Sequence, residues 1–241
     1  MKQGYGVFGA AYEVMLRNDP HAPRSIDHEL LRRMIRLDPE SYDLLYAEPP
    51  FCSHMEGHGL YSLAQTLKKQ EERASIEAIL VFTSGIAKGC EASLEEKRFG
   101  GTEQEILARG TDWCTDMARA AAVLLECIGI PARVLYLADP ERAYHGHAAV
   151  EAFYNGKYGA ADPIYGYIFY DGGPLDAYTL MHEPQHLKHL PEEYRGLFRC
   201  IAVSRYDPMD PSNDYSVSAV NAYYRTVLTR EHHGHWLMGE G

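Results

Sequence analysis

Three side chains in this sequence have the types needed to make a sulfur nucleophile. They are Cys114 in Gly110-Thr111-Asp112-Trp113-Cys114-Thr115-Asp116, His147 in His147-Ala148-Ala149-Val150-Glu151, and Asp162 in Ala161-Asp162-Pro163. A thiol attacks as its thiolate, an imidazole can take the thiol proton and return it to a leaving group, and a carboxylate can fix the imidazole's tautomer. Together they support attack on an amide or thioester carbonyl through an acyl-enzyme, which is acyl transfer.

Such chemistry requires elements that bring the three residues together. Cys114, Met117, Ala118, Ala121, Leu124, Leu125 and Ile128 recur at steps of three and four, which predicts a buried helix over 112–128. Thr111 and Asp112 are acceptable N-caps, and Gly129 with Pro131 is a stop. Cys114 is therefore expected in the first turn, where unpaired amides and the helix dipole favour a thiolate and can also stabilise an oxyanion. Asp112 and Asp116 oppose the thiolate electrostatically. Cys127, deeper in the same helix and without a partner, reads as structural.

Ala132 to Leu137 reads as a strand, followed by a loop over 138–146. His147 to Tyr154 and Lys157 to Asp162 are strand-like runs separated by Asn155-Gly156, the dipeptide of a type I′ hairpin turn. Pairing Tyr154 with Lys157 and counting outward places Ala149 opposite Asp162. His147 shares the side-chain parity of Ala149, so His147 and Asp162 become diagonal neighbours about 7–8 Å apart at the backbone. His145 has the same parity but lies about 13 Å from Ala149 along the strand, out of reach without a bulge. Arg133 is expected to pack or form a salt bridge near the core. Glu151 lies on the His147 face and reads equally as structural or substrate-facing. Tyr144, Tyr165, Tyr167 and Tyr170 cluster around the hairpin, where most should pack and one or two line an acyl cleft.

These residues resemble the transglutaminase-like superfamily. The resemblance rests on a cysteine opening a helix, the segment Gly129-Ile130-Pro131-Ala132-Arg133, the segment His147-Ala148-Ala149-Val150-Glu151, and Asp162-Pro163 closing a hairpin, in that order. It covers residues 100–166. It implies an α+β, papain-like core with the nucleophile helix packed on an antiparallel sheet, and Cys114, His147 and Asp162 as catalytic residues. Ala149 stands where the family has an aromatic residue, Tyr158 where tryptophan is usual, and Trp113 directly precedes the cysteine. The expected activity is amidase- or peptidase-type hydrolysis. Transamidation or amide-bond synthesis, including small-molecule biosynthesis, is the alternative, and a catalytically inactive binding module is a second. The implied partners are a peptide, amide or thioester substrate and an amine acceptor or carrier protein.

The remaining sequence narrows the alternatives. The formal charge of −11 over 241 residues disfavours nucleic acid and anionic membrane surfaces. No apolar run has the length of a membrane span. The N-terminus is a poor secretory signal, and five cysteines without a C-x-x-C pair suggest reduced thiols, so a cytoplasmic setting is expected. His54-x-x-x-His58 and His182-x-x-x-His186, with Cys52 and His189 nearby, have ligand spacing. Both stretches contain Gly or Pro and lack the glutamate of H-E-x-x-H, so no metal is expected. His232, His233 and His235 read as exposed or packed beside Trp236. No cofactor is implied, and no calcium loop is present.

Residues 1–75 read as an N-terminal helical segment packed on the core, including a helix over 26–37, and residues 76–241 as the catalytic domain. Further helices are expected over 75–87, 103–108 and 217–228, and a strand over 198–203.

Overall fold

The computed structural model describes residues 34–46, 52, 55–86, 101–139 and 146–204. Among these, β1 (Met34–Arg36), β2 (Ala132–Ala138), β3 (Gly146–Tyr154), β4 (Lys157–Asp162), β5 (Tyr167–Ile168) and β6 (Cys200–Ser204) form one sheet, ordered β1-β6-β2-β3-β4-β5. Every pairing in it is antiparallel. The helices are α1 (Pro39–Tyr46), α2 (Tyr61–Leu67), α3 (Glu72–Ile86), α4 (Glu103–Arg109), α5 (Cys114–Cys127), α6 (Ala177–His182) and α7 (Glu192–Leu197), with a 3-10 turn at Pro184–Leu187. Helices with an antiparallel sheet make the fold α+β.

Both faces of the sheet are covered. Val134, Tyr136, Ala148, Val150 and Ala152 point toward α2, α3 and α5, where they meet Ala64, Ile76, Ile79, Leu80, Ala121 and Leu125. The alternate residues Leu135, Leu137, Ala149, Ile201 and Val203 point to the opposite layer, closed by Leu45, Leu180, Leu187, Tyr194 and Leu197. Burial on both sides explains why β2 and β3 read as continuous apolar runs rather than as alternating ones. Each fully buried leucine or isoleucine here contributes roughly 1.5–3 kcal/mol relative to an exposed one.

The hairpin has the expected register. Tyr154 pairs with Lys157 and Val150 with Ala161. Asn155 at φ 52 and Gly156 at φ 81 supply the two left-handed residues that a type I′ turn requires. Gly159 is needed for a different reason: a Cβ there would lie 2.7 Å from both Tyr154 Cε1 and Pro174 Cβ. Gly159→Ala is therefore expected to lower stability by about 1–3 kcal/mol, read from a urea midpoint.

Two expectations are corrected. The helix predicted over 26–37 does not reach its end, because Met34–Arg36 is an edge strand paired with Ser204, Val203 and Ala202. A tertiary partner outweighs helical periodicity over three residues. The predicted strand over 198–203 begins later, at Cys200, since Phe198 terminates α7. The helices expected over 75–87 and 103–108 occur as α3 and α4. The helix expected over 217–228, and His54, His145, His232, His233 and His235, lie outside the described residues. Among the described residues, no helix is long and apolar enough to cross a membrane.

Candidate active site

Cys114 is the first residue of α5, and every residue of that helix is buried. The N-cap is Trp113 with no side-chain cap bond, not Thr111 or Asp112. Thr111 acts one step earlier, its hydroxyl accepting from the Trp113 amide at 3.1 Å. The first-turn amides have no intrahelical acceptor, so their partial positive charge gathers beside the sulfur. The opposing charge of Asp116 is neutralised locally, since its carboxylate lies 2.8 Å from the Arg109 guanidinium and accepts from Thr111. Arg109 closes α4, which starts at a capping box between Thr102 and Glu105. A cap on one short helix thus helps to set the electrostatics at the start of the next.

His147 lies near the start of β3 and Asp162 at the end of β4. His147 Nε2 and Asp162 Oδ2 are 2.6 Å apart, and the Cys114 sulfur is near enough to the same ring to raise its pKa. With Nε2 facing the carboxylate, Nδ1 is the nitrogen left for sulfur. The structure therefore brings Cys114, His147 and Asp162 together. Cys114 keeps 9% exposure and His147 7%, while Asp162 has none.

Asp162 is held by four donors. Oδ2 takes His147 and the Tyr194 hydroxyl, and Oδ1 accepts the amides of Ile164 at 2.8 Å and Tyr165 at 3.1 Å. Burial would raise its pKa, but the His147 charge and these hydrogen bonds hold it below the usual carboxylate range. Burial alone would depress the His147 pKa. The Asp162 charge and hydrogen bond, joined by Cys114, overcome that and push it up to about 10. The ring is therefore an imidazolium at neutral pH.

A folded-state pKa above the unfolded 6.5 makes this contribution to stability complete below pH 6.5 and lost as pH rises toward about 10. The stability gap between wild type and His147→Gln should accordingly be wider at pH 6 than at pH 10 in urea titrations.

Tyr194, on α7, was not singled out by the sequence. Its phenol is buried and its pKa is raised well above the ordinary value, first by burial and then by Asp162, so it remains a hydrogen-bond donor. Only a local Glu-Glu-Tyr-Arg context marks it, and Asp162 is 32 residues away. Tyr194→Phe should cost about 1.5–3 kcal/mol at neutral pH by removing a charge-assisted bond. Asp162 contributes this stability above its unfolded pKa of 3.8, so the difference should vanish as the pH falls below 3.8 and the carboxylate protonates.

The other singled-out residues serve the framework. Glu151 is fully buried and pairs with Arg133, with 2.7 Å between Arg133 Nη2 and Oε2. It also accepts from the Tyr46 hydroxyl and the Ala177 amide. This resolves it as structural. Cys127 is buried, with its thiol pKa raised to about 11 by burial and by Glu126. His182 hydrogen-bonds the Tyr178 carbonyl oxygen, and His186 lies 3.3 Å from Glu183. Tyr165 and Tyr194 stand with ring centroids 5.7 and 5.8 Å from that of His147.

A family model described as the transglutaminase-like superfamily matches residues 61–163. No curated protein and no solved structure matches the chain. The matched segment contains α2 through β4 and all three residues of the thiol–imidazole–carboxylate cluster. The superfamily in general carries out cysteine-dependent acyl transfer or hydrolysis. Over residues 61–163 this chain is similar to the transglutaminase-like superfamily.

Proposed function

We propose that this protein is an enzyme of cysteine-dependent acyl transfer with Cys114 as nucleophile, His147 as acid and base, and Asp162 as the group that orients the ring. The observation that carries this reading is one imidazole hydrogen-bonded at 2.6 Å to a buried carboxylate, with the sulfur that opens a helix beside the same ring. The thiolate attacks the carbonyl carbon of an amide or thioester. The carbonyl electron pair moves onto oxygen, toward the first-turn amides of α5. Collapse breaks the bond to the leaving group, which takes the His147 proton, and leaves an acyl-Cys114. Water or an amine then gives its proton to His147 and attacks the acyl carbon, and collapse breaks the carbon–sulfur bond, releasing the acid or amide and restoring the thiolate beside the imidazolium.

Water as the second nucleophile makes the enzyme an amidase or peptidase, which is the reading favoured here. An amine in its place gives transamidation or amide synthesis, with the amine acceptor or a carrier protein as partner. The two are separated by product analysis of a thioester donor with and without millimolar glycine amide. Hydrolysis predicts free acid in both samples; predominant amide in the second would favour synthesis. The imidazole–carboxylate pair argues against an inactive binding module, since a module has no use for an oriented imidazolium beside a thiol.

A further inference from the structure

A pocket of about 150 Å³ lies next to the cluster, lined by Tyr165, Tyr167, Pro191, Glu193, Tyr194 and Leu197. It is built from the same elements that hold Asp162. Tyr167 is the β5 partner of Asp162, and Tyr165 follows Asp162 in the turn that Asp162 caps. Tyr194 is fixed by its hydroxyl on Asp162. The three rings brace one another: Tyr165 stacks on Tyr167 with centroids 5.8 Å apart and meets Tyr194 edge-on at 5.2 Å. Tyr165 and Tyr194 stand with ring centroids 5.7 and 5.8 Å from that of His147, so the pocket lies against the imidazole.

We propose that this pocket receives a single aromatic ring on the acyl group of the donor. The inference rests on the acyl-transfer reading above and names the substrate class that it leaves open. Volume sets the size, since a dry cavity of about 150 Å³ accommodates benzene. Chemistry sets the type. Faces and edges of fixed aromatic rings favour a further ring in offset or edge-on contact, while Leu197 and Pro191 offer no polar partner. Burying a carboxylate against these rings and Leu197 would cost its hydration, which disfavours an acyl group ending in a carboxylate.

The test uses two measurements on the full chain. In the first, Cys114→Ala, which cannot be acylated, is titrated with phenylacetamide, propionamide and succinamate by NMR. Phenylacetamide should bind at least tenfold more tightly than propionamide, succinamate should not bind, and adding Tyr167→Ala should reduce the preference to under threefold. In the second, wild type is mixed with phenylacetyl and acetyl thioesters, and acylation should be at least tenfold faster with phenylacetyl. Acylation by both thioesters at equal rates, or acylation accompanied by equal binding of phenylacetamide and propionamide, overturns the aromatic pocket and leaves acyl transfer standing. Selective phenylacetamide binding with no acylation by either thioester supports the pocket and overturns acyl transfer.

Discussion

Replacing Cys114 by alanine should lower turnover of any accepted donor by roughly 10⁴-fold or more, the scale on which a nucleophile's loss acts. Two other thiols among the described residues are poor replacements for the sulfur. Cys127 lies at the far end of α5, and its thiol is held up at about 11. Cys52, hydrogen-bonded to Glu126, is pushed up to about 12 by burial and by that carboxylate. The folding cost should be small, because the change removes one atom at a site with 9% exposure. A shift of a few degrees in Tm at most is expected. Activity assays and thermal melts on the same sample separate the two effects.

Glu151→Ala should do the reverse, with a loss of about 3–5 kcal/mol in stability. Arg133 would keep its charge in a site where its side chain is 11% exposed. The guanidinium is held between the rings of Tyr158 at 3.7 Å and Tyr46 at 4.5 Å. The Tyr46 hydroxyl and the Ala177 amide would lose their acceptor, loosening α1 and the start of α6. Replacing both charges, as Arg133→Met with Glu151→Leu, should recover most of the loss, because the desolvation cost of the pair disappears with the pair. Urea unfolding of the single and double variants measures this.

Local signals account for what the sequence made legible. The Asn155-Gly156 turn admits few geometries, so the pairing of Val150 with Ala161 follows by counting. Cys114 at a helix start follows from the periodicity of α5 and the stop at Gly129, whose φ is 89. The periodicity showed one buried stripe, whereas α5 is buried on every side. Its polar face is hidden by long-range pairing, with Arg119 2.6 Å from Glu103 and Asp116 2.8 Å from Arg109. Such partners carry no periodic trace. Tyr194 escaped notice for the same reason. The Arg133–Glu151 pair depends on the β2–β3 register, which the intervening loop leaves open in sequence. Met34–Arg36 becomes a strand only because β6, far along the chain, lies beside it.

The central claim is that the Cys114 sulfur accepts an acyl group with the help of the His147–Asp162 pair. Intact-mass spectrometry of the full chain after brief exposure to a thioester panel tests it directly. The account predicts one acyl mass increment, mapped by peptide digestion to Cys114, absent in Cys114→Ala and at least 100-fold slower to form in His147→Ala. An increment on another residue, or one that forms equally fast without the imidazole, would contradict it.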